Sequence, residues 1–135
     1  MTGLAIIELL WEAGKTAYEI ATGLKKKKEE DRKKLSVLFG HIGQLLHETY
    51  LELDHGNYPA GHCHQISIFG NEIKQNFKKL IGESKAEKLS ALLLTAHQVE
   101  LLYGMLASGE VEKAELIKLE ESSGEFIAAS KLILF

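Results

Sequence analysis

The sequence predicts an all-α fold, an up-and-down antiparallel helical bundle of four helices plus a fifth. Three observations predict it. Only one proline, Pro59, occurs in 135 residues. Between the few breakers, apolar residues recur at steps of three and four rather than two, the period of a helix with one buried face. The connections are short, which favours antiparallel neighbours. A length of 135 residues suits one domain, 1–135, and 45% hydrophobic with 26% charged residues is ordinary for a chain that folds around its own core.

In the first element Leu4, Ile7, Trp11, Gly14, Tyr18 and Ala21 form an apolar stripe opposite Glu8, Glu12, Lys15 and Glu19. Gly23 is the expected stop, but Lys25 to Lys34 holds no breaker, so helix 1 running on into helix 2 stays open. Helix 2 is expected from about Lys27 to Asp54, with Leu35, Leu38, Phe39, Ile42, Leu45, Leu46, Thr49 and Leu53 inward and Gly56 ending it. Pro59 should occupy the first turn of helix 3, where its missing N–H costs nothing. Cys63, Ile66, Phe69, Ile73, Phe77 and Leu80 line that helix up to Gly82.

Ser84 and Glu87 have the spacing of a capping box, which predicts the start of helix 4. Its apolar arc, Leu89, Leu92, Leu93, Ala96, Val99, Leu102, Tyr103 and Leu106 widened by Leu94, Leu101 and Met105, suggests a central helix or one buried by a second subunit. Ser108-Gly109 should break it. Glu110 and Glu112 then suit the positive end of helix 5, and Ser122-Ser123-Gly124 predicts a kink within it. The apolar Leu132 to Phe135 should dock on the bundle or on a partner.

Composition narrows function. A formal net charge of −3 gives no overall basic field, so nucleic acid is not an expected partner. One cysteine, Cys63, allows no intrachain disulfide and fits a reducing, cytoplasmic setting. The longest uncharged run, Leu89 to Val99, has 11 residues, well short of the ~20 that span a bilayer. No charged segment followed by an apolar run and a cleavage site opens the chain.

Candidate chemistry is sparse. His55, His62, Cys63 and His64 are the usual types of transition-metal ligand, and a metal-binding bundle is one alternative. Consecutive helical residues point about 100° apart, however, so His62, Cys63 and His64 cannot all face one ion. Cys63 continues the stripe of Ile66 and Ile73 and reads as a small buried hydrophobe. Glu52-x-x-His55 has di-iron spacing but no second copy. Gly40 and Gly43 sit inside a helical pattern and read as close-packing positions, not a phosphate loop. No catalytic residue, cofactor, metal or small-molecule substrate is expected, and the chain reads as a non-enzyme.

The strongest charge feature is Lys25, Lys26, Lys27 and Lys28 with Arg32, Lys33 and Lys34, a stretch of net +4 once Glu29, Glu30 and Asp31 are counted. Part of it reads as a solvated helix face, since Glu29 and Glu30 can pair forward with Lys33 and Lys34. Taken with helix 1, it also reads as an amphipathic helix followed by a lysine cluster, suited to an anionic membrane interface.

This layout, an amphipathic helix at the start of a five-helix chain, resembles the HeLo-like and mixed-lineage-kinase-like helical bundles of cell-death signalling. The stretch Gly56 to Cys63 also resembles a loop of small bacterial helical modules found near defence proteins. The resemblance implies a bundle that oligomerises and perturbs a membrane through Leu4, Ile6, Ile7, Leu10 and Trp11, with the lysines from Lys25. The function expected is therefore a signalling or interaction module that acts by self-association, peripheral to a membrane when activated. A homo-oligomeric scaffold without a membrane role is the alternative.

Overall fold

Thr2 starts the first helix: its Oγ1 accepts a hydrogen bond from the Ala5 N–H at 3.1 Å, satisfying one of the donors a helix start leaves free. The computed structural model describes every residue from Met1 to Phe135. Seven α-helices follow in order: α1 (Gly3–Thr22), α2 (Glu29–Asp54), α3 (His62–Asn76), α4 (Lys78–Ile81), α5 (Glu83–Thr95), α6 (Leu101–Ala107) and α7 (Ile117–Ile133). A 3-10 turn, Lys113–Leu116, leads into α7. There is no strand, and the all-α bundle is as the periodicity requires.

Several boundaries differ from expectation for identifiable reasons. Helices 1 and 2 are separate: the Gly23 N–H bonds back to the Ile20 carbonyl, and Leu24, only 4% exposed, anchors the chain before the lysines. α2 starts at Glu29, with Glu29, Glu30 and Asp31 in its first turn beside the positive end of the dipole. Gly56, at φ +76°, ends it, with Gly56 N–H to Leu53 O and Asn57 N–H to Glu52 O. Pro59 is not in the first turn of the third helix. It is buried in the preceding loop, and α3 starts only after Gly61, whose φ of +83° is a conformation glycine adopts readily.

The expected third helix splits at Phe77 into α3 and the single turn α4. The capping box does not form. Gly82, at φ +91° and ψ 146°, takes the cap position itself, and α5 starts at Glu83, two residues too early for Ser84 to cap it. The expected fourth helix is also divided, because the chain turns at Ala96–Glu100 before α6. His97 Nδ1 lies 2.6 Å from the Leu94 carbonyl in that turn. Glu110 and Glu112 precede the 3-10 turn rather than opening a helix. Leu132 to Phe135 dock only in part: Ile133 is buried, Leu132 half-buried, and Leu134 and Phe135 exposed.

α7 passes without a break through Ser122-Ser123-Gly124, where a kink was expected. The two serines are buried at helix crossings instead. Ser122 Oγ donates to the Leu10 carbonyl at 2.6 Å and Ser123 Oγ to the Gly43 carbonyl at 2.7 Å. A Cβ on Gly14 would lie 2.9 Å from Ser122 Cα, and one on Gly43 would lie 3.1 Å from Ser123 O, so both glycines mark close approaches of backbone. Ser36 and Ser130 exchange hydroxyl-to-carbonyl bonds across the α2–α7 seam. Ser90 Oγ makes the same kind of bond to the Gly70 carbonyl between α5 and α3.

α7 is the central helix, a place expected for the fourth. It lies along both α1 and α2, antiparallel to α2 and parallel to α1, and keeps those two from packing on each other. α5 lies against α1 on one side and α3 on the other, and α3 returns to α2. Ile6, Leu10, Phe39, Leu46, Ile73, Leu89 and Phe126 fill the interior, with the Phe39 and Phe126 rings edge-on at 5.6 Å.

Candidate functional site

Helix 1 is two-sided because α5 and α7 both cover it, so its buried arc is broader than, and rotated from, the stripe read from the sequence. Ile6, Ile7 and Leu10 are fully buried, whereas Leu4 and Tyr18 are 46% and 42% exposed. Trp11 is half-buried at the edge. Its Nε1–H donates to Glu121 at 3.0 Å, and the Lys15 ammonium stands 3.3 Å from its ring centroid. Glu8 pairs with Lys118 on α7, which raises the Lys118 pKa. Of the five helix 1 residues singled out for membrane contact, three are core, one is a surface latch onto α7, and Leu4 alone is openly exposed.

The histidines and cysteine near the α2–α3 loop do not converge. No group of three or more His, Cys, Asp or Glu side chains is placed to hold a metal ion. His55 and His64 are exposed. His62 Nδ1 is 2.6 Å from Thr49 Oγ1, whose hydroxyl donates to the Leu45 carbonyl, so the imidazole is tied to α2. Cys63 is half-buried rather than a core residue. It faces Glu100, which accepts a hydrogen bond from the Gly61 N–H at 3.2 Å. Burial first, and the Glu100 carboxylate second, push the Cys63 thiol up, and the same carboxylate pushes up the Tyr58 hydroxyl. A thiol held protonated beside a carboxylate is a poor nucleophile. Glu100 therefore serves as a clasp between this loop and the α5–α6 turn.

Lys25 to Lys28 are exposed in the α1–α2 connection, and the fold adds to them. Lys27, Lys79 and Lys85 line one hollow of about 250 Å³, walled by Ile20, Leu24, Leu80 and Ile81. Arg32 holds the arrangement, donating from Nε to the Lys27 carbonyl at 3.1 Å and from Nη1 to the Ile133 carbonyl at 2.8 Å. The C-termini of α1, α3 and α7 meet the N-termini of α2 and α5 at this end, and Lys74 and Lys131 complement the negative ends of α3 and α7. Of sixteen Lys and Arg residues, only Lys15, Lys113 and Lys118 lie away from it. Glu29 pairs with Lys33 at 3.5 Å and Glu87 approaches Lys78 at 3.9 Å, but Lys25 to Lys28, Lys79, Lys85 and Lys88 have no carboxylate partner.

The opposite end carries the reverse sign. Glu52, Asp54, Glu100, Glu110, Glu112 and Glu115 gather around the end of α2 and the turns flanking α6, with Lys113 the basic residue among them. Sequence reading found the lysine run but missed both this acidic end and the contribution of α4 and α5. Lys78, Lys79, Lys85 and Lys88 are over fifty positions from Lys25, and only the antiparallel return of the chain joins them.

A third surface is an open groove of about 800 Å³ where the start of α2 and the end of α3 splay apart. Leu38, Phe69, Phe77 and Leu80 form its walls, and Val37 and Ile68, at 58% and 49% exposed, its lips.

Fold and surface together define an all-α helical bundle with charge sorted to its two ends, none of whose helices is long and apolar enough to cross a membrane. Compared with family models, curated proteins and solved structures, the chain matches none.

Proposed function

We propose that this protein is a non-enzymatic interaction module of the cell-death or defence signalling type, acting by self-association. The observation that carries the reading is the sorting of charge: unpaired lysines at one end of the bundle and carboxylates at the other. Surfaces polarised in this way steer encounter and fix the orientation of partners. The cytoplasm is the compartment proposed for it.

Membrane contact is the second reading, favoured by the exposed Lys25 to Lys28 beside Lys79 and Lys85. With the bundle closed, contact falls to these lysines rather than to Ile6, Ile7 and Leu10, which must leave the core before they can meet lipid. Exposing those three side chains forfeits roughly 1.5–3 kcal/mol each unless lipid replaces the core.

Sedimentation velocity across a concentration series tests the first reading, with species larger than 15.0 kDa expected. Co-sedimentation with phosphatidylserine vesicles tests the second. Binding that weakens with salt and with charge reversal of Lys25 to Lys28 is expected, and vesicles that leave the protein in the supernatant at low salt would dispose of it.

A further inference from the structure

We propose that copies of this protein associate head to tail, the basic end of one seating on the acidic end of the next. The inference deepens the self-association reading and rests on it. The occupant of each end follows from charge complementarity within the chain itself. Lys27, Lys79 and Lys85 surround a shallow hollow with no carboxylate paired to any of them. At the far end Glu110 and Glu112 are exposed and equally unpaired. A second hollow of about 420 Å³ at that end is lined by Leu53, Tyr103, Leu106 and the ion pair of Asp54 with Lys113.

Charge opposes a two-fold contact across either end. A two-fold dimer across either end would set lysine against lysine or carboxylate against carboxylate, which like charges oppose. An end-on contact between unlike ends is heterologous, so it repeats, giving a closed ring or an open chain. Half-exposed Leu101 and Tyr103 at the acidic end, with Tyr58 edge-on to Tyr103 at 5.5 Å, supply apolar area for such a contact to cover. Exposed charges act over about a Debye length, ~8 Å at physiological ionic strength, so the assembly is weak and salt-sensitive.

The test is a charge swap read by sedimentation velocity of the full chain. Wild-type protein at low salt should form species that grow with concentration and return to monomer as salt rises. Lys27→Glu, Lys79→Glu and Lys85→Glu together ring the basic-end hollow with carboxylates, and Glu110→Lys with Glu112→Lys weakens the acidic end. All five sites are exposed, and unchanged circular dichroism will verify folding. Each variant alone should be monomeric, and an equimolar mixture should associate again, because the unaltered acidic end of the triple variant can seat on the unaltered basic end of the double variant. Carbodiimide cross-linking of the wild type should join Lys79 or Lys85 of one copy to Glu110 or Glu112 of another.

Association that ignores both salt and charge reversal would overturn the head-to-tail contact while leaving self-association standing, through a surface such as the α2–α3 groove. A protein that stays monomeric throughout removes both. A low-salt monomer that binds phosphatidylserine vesicles through the lysines also overturns the proposal, and gives the basic end to lipid. Failure of the mixed variants to associate has the same force.

Discussion

Glycine does opposite things at positions 14 and 124, and the difference lies in what stands opposite. A Cβ on Gly14 would lie 2.9 Å from Ser122 Cα and 3.0 Å from Ser122 O, contacts with backbone that cannot swing aside. Gly124 has nothing within 4 Å. Gly124→Ala should therefore stabilise by about 1 kcal/mol through helix propensity alone. At Gly14 the same gain is outweighed by overpacking of about 1–3 kcal/mol, so Gly14→Ala should lower the melting temperature. Thermal denaturation of the two variants checks the opposite signs. At Cys63 the prediction concerns reactivity. Burial and Glu100 raise its pKa, so the folded state holds the thiol proton more tightly than the unfolded chain does. The resulting stability is present below the unfolded thiol's pKa and is lost as pH rises through the folded value. Modification by a disulfide reagent at mildly alkaline pH should be slower than for a free thiol, and Glu100→Gln should speed it. An unchanged rate in that variant would remove Glu100 as a cause.

At the scale of elements, what ends a helix was legible where one residue suffices and misleading where two must cooperate. Gly56 signals its stop alone, through a left-handed conformation that costs glycine little. Ser84 and Glu87 needed the helix to start at a particular residue, and Gly82 starts it elsewhere. Capping should follow the geometry rather than the motif. Thr2→Ala should cost about 1 kcal/mol, because Thr2 caps α1. Ser84→Ala should stay within about 0.5 kcal/mol, as an exposed site with no bond to lose does. Denaturant titration of both variants measures the contrast, and equal losses would contradict it. Ser122 and Ser123 teach the same lesson in reverse. Serine and glycine in a run suggest a break when read along the chain, yet across the chain they are what allows α7 to approach both α1 and α2.

For the whole molecule, the net charge of −3 conceals two ends of opposite sign. A uniformly acidic protein would bind only an anion exchanger. This one should be retained at neutral pH and low salt by cation- and anion-exchange resins alike, and Lys79→Glu with Lys85→Glu should selectively weaken the first. Passage through the cation exchanger without delay would mean that the carboxylates of Glu29, Glu30, Asp31 and Glu83 neutralise the basic end after all. Polarity of this kind arises because lysines far apart in sequence fall near helix ends that the bundle brings together. In the closed bundle Ile6, Ile7 and Leu10 are held in the core. Those three residues are also among the ones chosen for lipid, and an amphipathic face looks identical whether its partner is a membrane or a core.

By itself the sequence determined the class, the helical period, the buried face of α2 and the glycine stops, since each depends on residues within a turn or two of one another. Only the tertiary structure decided that α7 is the centre, that Trp11 latches α1 to α7, that Cys63 is clasped by Glu100, and that the lysines form one face. Those features depend on which helices become neighbours. Many neighbour arrangements bury a given set of apolar stripes almost equally well, and choosing among them took the serine–glycine crossings, which carry no periodic signal along the chain.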